Sequence, residues 1–156
     1  MPDSQSQNKL GSFLSLLKRH RGEARGAYDD VAPIYDEFAS VWDKFVAGPA
    51  MAHYRHLIQQ RGKPGAFILD AGAGTGERTL TLLQHGRPGE IIGLDVSPEM
   101  LNIARAKIDD PRVCFMKGDI TALPFDDNSF DLVSCTWAIE ILDNPRLAVQ
   151  EFVRVI

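Results

Sequence analysis

The sequence predicts an α/β fold in which a parallel β-sheet is covered by helices on both faces. Beyond Gly65, short and fully apolar runs alternate with helix-like segments, as they do when parallel strands are buried on both sides. Before Gly65, apolar side chains recur only at helical spacing, so residues 1–60 are predicted to be helical and to contain no strand. The length of 156 residues is that of one domain with a sizeable core.

The N-terminal part is predicted to consist of several short helices. Residues 10–17 place apolar side chains along one face of an amphipathic helix. Between residues 28 and 38, Pro33 lacks an amide hydrogen and is predicted to separate two short helical pieces. Apolar stripes over residues 38–46 and 51–58 predict two further helical segments. We find no internal repeat.

The alternating part contains four strand-like runs and three helices. The strands are predicted at residues 66–69, 90–94, 113–116 and 130–135. The helices are predicted around residues 77–84, from Ser97 onwards and from Asn144 to Ile156. Ser97 is a favourable N-cap, and Pro98 and Glu99 suit the first turn of the helix that it opens. In a sheet of this class, ligands bind at the carboxyl ends of the strands.

The most specific motif follows the first predicted strand and reads Asp70-Ala-Gly-Ala-Gly-Thr-Gly-Glu77. Its three alternate glycines allow the backbone to turn sharply and to approach a ligand without an intervening Cβ. A tight strand-to-helix turn that binds nothing is the less favoured alternative. It stays open, because a glycine pattern alone is weak evidence of binding.

A dinucleotide site is the main rival interpretation of this loop. Such a site has the spacing G-x-G-x-x-G, so its third glycine would fall at position 77, where this chain has Glu77. Asp70 and Glu77 place a carboxylate on each side of the loop. These anions would repel a pyrophosphate but suit a ligand that carries sulfonium and ammonium groups. The charges therefore disfavour a dinucleotide and an oxidoreductase.

Carboxylates also end the next two predicted strands. Asp95 closes the second strand and can accept both hydroxyls of a ribose, a role that dinucleotide sites use as well. Asp119 closes the third strand beside Gly118 and Ile120. A carboxylate with a neighbouring backbone N–H suits the amino group and ring nitrogen of adenine. Taken alone, Asp119 would equally fit a solvated turn.

Together these residues resemble the class I S-adenosylmethionine (SAM) dependent methyltransferases. Residues 68–76 are similar to the first motif of that family, residues 93–100 to the second, and residues 118–135 to the stretch through its third and fourth strands. Residues 28–36 resemble the N-terminal signature of the small-molecule branch that includes the ubiquinone/menaquinone C-methyltransferases. The resemblance covers residues 27–156. It implies a Rossmann-like parallel sheet, SAM as the cofactor and methyl transfer to a small-molecule acceptor.

The resemblance also implies which positions contact the cofactor. Asp70 and the glycine loop would hold the methionine end of SAM, and Asp95 would bind the ribose. Met100 would pack on the adenine face, and Asp119 would hold the adenine edge. The complete predicted set is Asp70, Gly72, Ala73, Gly74, Gly76, Asp95, Val96, Met100, Asp119, Ile120, Thr136 and Trp137.

The resemblance places two further groups of residues near the reacting methyl. Thr136 and Trp137 follow the fourth strand and would border the methyl group, although Trp137 fits a role in the core equally well. Tyr28 and Tyr35 are candidates for the base that deprotonates an acceptor, because the family places their helix as a lid over the cofactor. Aromatic packing is the alternative for both tyrosines, and the sequence assigns no catalytic residue.

The resemblance divides the chain into three regions. These are an N-terminal arm at residues 1–26, a helical lid region at residues 27–64 and a SAM-binding Rossmann-like domain at residues 65–156. After a helix like that at residues 144–156, the family continues with a fifth central strand, a helix and a hairpin. We therefore expect the C-terminal strands to be missing and the fourth strand to be an apolar sheet edge, covered in a longer protein or by another chain. The alternative function is a SAM-binding module or fragment that transfers nothing.

Composition narrows the partners. A net charge of −4 disfavours nucleic acid. Cys114 and Cys135 lie in apolar runs, which predicts buried, reduced thiols and a cytoplasmic location. His53 and His56 share a helix face without an acidic or cysteine ligand motif, so no metal site is expected. Residues 9–21 combine an apolar stripe with basic residues, which predicts peripheral contact with an anionic membrane, a second subunit in a homodimer, or packing on their own domain.

Overall fold

The computed structural model describes the backbone of residues 24–156 and the side chains from Tyr28 onwards. The basic amphipathic helix predicted at residues 9–21 lies outside the described residues. In chain order the elements are α1 (Ala24–Trp42), a π-helical turn (Asp43–Ala47), α2 (Gly48–Arg61), β1 (Ala66–Ala71), α3 (Glu77–His85), β2 (Pro88–Asp95), α4 (Pro98–Lys107), β3 (Val113–Lys117), β4 (Leu132–Ser134), a 3-10 turn (Ile139–Ile141) and α5 (Pro145–Val155).

The four strands form one parallel sheet in the order β3-β2-β1-β4. This arrangement confirms the predicted α/β, Rossmann-like parallel sheet preceded by helices. Each strand lies within a few residues of its predicted position. The central strand β1 is the clearest case, because a strand buried on both faces is apolar along most of its length. Parallel pairing brings the carboxyl ends of all four strands to one edge of the sheet, where the glycine loop follows β1.

The two faces of β1 belong to different hydrophobic clusters. Leu69 packs with Leu94 of β2 and with Ala148 and Val155 of α5. Neighbouring side chains of a strand point to opposite faces, and Ile68 accordingly joins another cluster. That second cluster contains Ile58 of α2, Leu82 of α3 and Ile91 of β2. The sheet is therefore covered on both sides, as the continuous apolar runs predict.

The prediction that Pro33 separates two helical pieces is wrong. α1 continues through Pro33 as a single helix of 19 residues. An internal proline removes one helical hydrogen bond and costs about 3 kcal/mol in an isolated helix. Here the neighbouring Val31 and Ala32 are buried against Met100 of α4, while Pro33 itself is exposed. Packing on the core side of α1 thus outweighs the local preference of proline.

The burial predicted for the two cysteines is wrong for Cys114, which is exposed. Cys114 lies on β3, an edge strand on which every residue is half-buried or exposed. Cys135 follows β4 and is half-buried, and this burial raises the pKa of its thiol to about 12. Both cysteines are free, and β2 and β1 separate the strands that carry them.

The expected sheet edge is present at β4. Among the described strands, β4 pairs only with β1, and its Leu132 and Val133 are half-buried. None of the helices between residues 24 and 156 is long and apolar enough to cross a membrane.

Candidate functional site

The loop after β1 adopts a backbone that requires glycine. Gly72, Gly74 and Gly76 have φ values of 80°, 54° and 85°, which lie in the left-handed region. A Cβ on Gly72 would lie 2.4 Å from the Cβ of Ala138, so this glycine also allows the segment after β4 to pack closely. A Cβ on Gly74 would meet no atom within 4 Å. Gly74 therefore faces open space, whereas Gly72 faces packed protein.

Asp95 ties the glycine loop to the start of α4. Its Oδ2 accepts a hydrogen bond from the backbone N–H of Gly74 at 2.8 Å, and its Oδ1 accepts one from the N–H of Ser97 at 2.9 Å. Ser97 caps α4 as predicted, since its hydroxyl accepts a bond from the N–H of Met100 at 3.2 Å. Burial raises the pKa of Asp95 above its usual value. The carboxylate is thus fixed by backbone donors and faces a cavity.

This cavity, of about 160 Å³, lies at the carboxyl ends of the strands, and we call it the first cavity. It collects most of the predicted site residues. The predicted residues that line it are Gly72, Gly74, Asp95, Val96, Met100, Asp119, Ile120, Thr136 and Trp137. Tyr28 and Tyr35 of α1 also line it, so α1 lies against the same opening.

Asp119 has features of both interpretations that the sequence left open. It is exposed, and its Oδ1 accepts bonds from both the backbone N–H and the hydroxyl of Thr121, as in a solvated turn. It also lines the first cavity beside Ile120, as an adenine-binding residue would. The turn therefore holds the carboxylate in place at the edge of the cavity.

A second cavity, of about 260 Å³, lies between α1 and the glycine loop. Ala73 lines it, as do Gly72 and Gly74, which are shared with the first cavity. Its walls are mostly apolar, with aromatic rings from Tyr28, Tyr35, Phe38, Trp42 and Trp137. Its polar lining comes from Asp43, Thr75, Glu77, Arg78, Thr136 and Glu140.

Trp137 has an unusual backbone at the border of the two cavities. Its φ of 61° is left-handed, which is rare for a bulky side chain and often marks a functional segment. The indole is 39% exposed and packs edge-on against Trp42, with ring centroids 6.1 Å apart. The Thr136 hydroxyl beside it is buried without a hydrogen-bond partner. This segment is therefore not a simple core plug.

Two predicted site residues, Asp70 and Gly76, line neither cavity. Gly76 precedes α3, and a Cβ there would lie 3.2 Å from the Cβ of Ala104. Asp70 is fully buried beneath the loop, where its Oδ2 accepts a bond from the Thr79 hydroxyl at 2.6 Å. Its Oδ1 has no partner, and burial raises its pKa to about 6. A buried carboxylate with an unpartnered oxygen fits a ligand that brings positive charge to the loop above it.

Some lining residues were not predicted from the sequence. Ala138, Ile141 and Leu142 lie in or next to the 3-10 turn, and all three line the first cavity. The only signal in the sequence is an apolar run soon after the fourth strand. Nothing in that run distinguishes a cavity wall from core, because both need apolar side chains.

Comparisons with known proteins agree on a methyltransferase family. A family model described as a methyltransferase domain matches residues 69–156. A demethylmenaquinone methyltransferase from Renibacterium salmoninarum is 33% identical over 140 residues. That match covers 89% of this chain and 56% of the relative, so the chain spans little more than half of the relative's length.

Solved structures share the fold. A chain from the complex that contains the Haloferax volcanii Trm112 methyltransferase activator superimposes with a TM-score of 0.69 and 29% identity. This match covers 83% of the present chain and 55% of the other. The [4+2]-cyclase SpnF superimposes with a TM-score of 0.59 and 29% identity, over 67% of this chain and 40% of that chain.

Proposed function

Because this chain belongs to the class I SAM-dependent methyltransferase family, we propose that the protein transfers the methyl group of SAM to a small-molecule acceptor. A quinone-type ring is the acceptor class that we favour, as named for the Renibacterium relative. The arm, lid and cofactor-binding regions predicted from the sequence are part of this proposal.

The observation that carries the proposal is the meeting of the two cavities at the glycine loop. The first cavity has carboxylates at Asp95 and Asp119, which suit a nucleoside, and the second has aromatic walls, which suit a planar acceptor. Gly72, Gly74 and Trp137 line both. A donor in one cavity and an acceptor in the other would meet at this shared border.

The chain's own residues would mainly bind and orient the reactants. SAM supplies a methyl group that its sulfonium already activates, so alignment of donor and acceptor is the main requirement. Asp95 would accept the ribose hydroxyls, Met100 would pack on the adenine and Asp119 would bind its edge. Asp70 lines neither cavity, so it would act on the ligand across the loop. Its negative charge would stabilise the positive charge of the ligand there.

Tyr28 and Tyr35 fit a role as hydrogen-bond donors better than the role of base. Burial raises the pKa of both hydroxyls above the ordinary value of tyrosine. Both groups therefore stay protonated near neutral pH, where a general base must be deprotonated. With neither tyrosine acting as the base, the acceptor would react in its ionised form or lose its proton to solvent. The sulfonium is a strong enough methyl donor for such an acceptor.

A second candidate function is a protein that binds the cofactor but transfers no methyl group. The likeness to SpnF favours it, because that protein of the same fold is described as a [4+2]-cyclase. The two functions are distinguished by incubating the full-length protein with SAM and demethylated quinones. A methyltransferase releases one S-adenosylhomocysteine (SAH) for each methylated product, measured by mass spectrometry. Binding of SAM without either product would contradict methyl transfer to this acceptor class.

Replacing Asp95 with alanine is expected to weaken SAH binding to the full-length protein by roughly 1–3 kcal/mol. The substitution leaves ribose hydroxyls and the N–H groups of Gly74 and Ser97 without their acceptor. Isothermal titration calorimetry measures the effect. Asp110→Ala is the matched control, since its carboxylate is paired with Arg112 and lines neither cavity. Equal affinity of Asp95→Ala and the parent would contradict the ribose assignment.

The statements about cellular location and about macromolecular partners remain predictions. A cytoplasmic location, a homodimer, a peripheral membrane contact and the absence of a nucleic-acid partner follow from the sequence alone. Co-sedimentation of the full-length protein with anionic vesicles, with and without residues 1–21, would test the membrane contact.

A further inference from the structure

α1 and the π-helical turn contain a short pattern that recurs every seven residues. Each unit begins with an aromatic residue that is followed by aspartate: Tyr28-Asp29, Tyr35-Asp36 and Trp42-Asp43. Seven residues are close to two helical turns, so equivalent positions recur on nearly the same side of a helix. The repeat therefore sets a row of aromatic side chains beside a row of aspartates.

The aromatic row forms one wall of the two cavities. Tyr28 and Tyr35 line both, and Trp42 lines the second. The rings of Tyr28 and Tyr35 are 6.2 Å apart, and Trp42 contacts Trp137 on the opposite side of the opening. Movement of α1 away from the sheet would therefore open both cavities together.

The aspartate row fastens α1 to the segments that shape the first cavity. Asp29 accepts a hydrogen bond from the Ser97 hydroxyl, at the cap of α4. Ser97 in turn donates its backbone N–H to Asp95. The first aspartate of the row is thus one residue away from the carboxylate that holds the glycine loop.

The second and third aspartates bind the glycine loop and its flanks. Asp36 accepts bonds from the Thr75 hydroxyl in the loop and from Lys107 Nζ at the end of α4, the latter at 2.7 Å. Lys107 also binds Glu77 at 2.6 Å. Both oxygens of Asp43 accept from Arg78 Nη2 in the first turn of α3, at 2.8 and 2.7 Å.

These contacts are suited to reversible closure. The side chains of Asp36 and Asp43 are 42% and 31% exposed, so their ion pairs with Lys107 and Arg78 are reached by solvent and screened by salt. Such pairs are individually weak, but the two of them act together with the Asp29–Ser97 hydrogen bond at regular spacing along α1 and the π-helical turn. Asp36 lines neither cavity, and its contribution to ligand binding must therefore pass through Thr75 and Lys107.

We propose that Asp36 and Asp43 are positioning residues that hold α1 over the first cavity and set the rate at which the cofactor leaves. Their contacts with Thr75, Lys107 and Arg78 are called the latch. The proposal rests on the proposed function, because it assigns SAM or SAH to the first cavity. When the latch opens, the aromatic wall moves away, the glycine loop loses the contact of Thr75 with α1, and α3 loses the contact of Arg78 with the π-helical turn. Release of the ligand therefore follows opening of the latch.

The first test measures dissociation of radiolabelled SAH from the full-length protein after an excess of unlabelled SAH is added. The double variant Asp36→Asn/Asp43→Asn is expected to release SAH about tenfold faster, since two screened ion pairs are lost. Raising the salt concentration from about 50 to about 500 mM should speed release from the parent and have little effect on the double variant. Asp126→Asn/Asp143→Asn, which removes two exposed carboxylates outside the latch and the cavities, is the charge-matched control. Asp36→Glu keeps the negative charge and should therefore release SAH more slowly than Asp36→Asn does.

The second test needs no ligand and separates the latch from the proposed function. Hydrogen–deuterium exchange of the free protein should become faster in α1 of the double variant and stay unchanged in β1 and β2. Unchanged exchange in α1 would overturn the latch, whatever the protein binds. Release rates and salt dependence equal to those of the parent would overturn its role in cofactor release. A parent that binds neither SAM nor SAH would contradict the proposed function and that role, while exchange in α1 would still decide whether the latch exists.

Discussion

Replacing Gly74 with valine is expected to lower the affinity for SAM and SAH by about 100-fold or more, or ~2.7 kcal/mol of binding free energy. A Cβ at this position meets no atom within 4 Å, so the valine side chain finds room without displacing protein. The room that it takes lies where the two cavities meet, because Gly74 lines both. The loss of affinity thus comes from occupation of the ligand's place.

Gly65→Val is the matched control for the Gly74 substitution. Gly65 also has a positive φ, of 78°, and a Cβ there also meets no atom within 4 Å. Both valines therefore strain the backbone, at a cost of about 1–2 kcal/mol each, but Gly65 lines neither cavity. Calorimetry with SAH and thermal unfolding should give two similarly destabilised proteins, of which only Gly65→Val binds SAH with the affinity of the parent. Normal binding by Gly74→Val would show that the loop is only a structural turn.

Replacing Asp70 with asparagine is expected to stabilise the ligand-free protein near neutral pH. Burial raises the pKa of this carboxyl from 3.8 to about 6, so between these values the folded protein binds more protons than the unfolded chain. Ionisation of Asp70 therefore destabilises the fold as pH rises from 3.8 to 6, by about 3 kcal/mol in total. Asparagine removes this cost, although its amide would lack one partner where Oδ1 now has none.

The expected gain in stability depends on pH. Urea unfolding should show Asp70→Asn more stable than the parent by up to about 2 kcal/mol near pH 7.5, with a smaller difference near pH 4.5. The same variant should lose more affinity for SAM than for SAH, because only SAM carries the sulfonium charge. Asp126→Asn, an exposed carboxylate, should change neither property. A variant that is less stable than the parent near pH 7.5 and binds SAM normally would contradict the role of the buried charge.

The sequence predicted the parts of the fold that depend on local patterns. Burial on both faces requires a continuous apolar run, so β1 and β2 could be predicted from the order of apolar residues in the sequence. The Gly72–Gly76 loop could be predicted because a left-handed backbone favours glycine. Asp95 could be predicted because a carboxylate at the carboxyl end of a parallel strand lies where ligands bind. Nine of the twelve predicted cofactor residues line one cavity, although their contact with a ligand is still a prediction.

The features that were missed depend on contacts between distant parts of the chain. Asp43 and Arg78 are 35 residues apart, and no local pattern pairs them. Pro33 appeared to end a helix because the packing of α1 on Met100 is invisible in a local window. The exposure of Cys114 follows from the strand order, which places β3 at an edge, and an apolar run does not reveal which strand is the outermost.

The contact between Trp42 and Trp137 gives the protein an intrinsic optical reporter. These are the two tryptophans of the whole chain, and they meet at the second cavity with ring planes at 88° to each other. Indoles at this separation couple their electronic transitions, so near-ultraviolet circular dichroism and fluorescence both respond to a change in their contact. One indole belongs to α1 and the other to the segment after β4. The spectrum of the unlabelled protein therefore reports how closely these two segments approach each other.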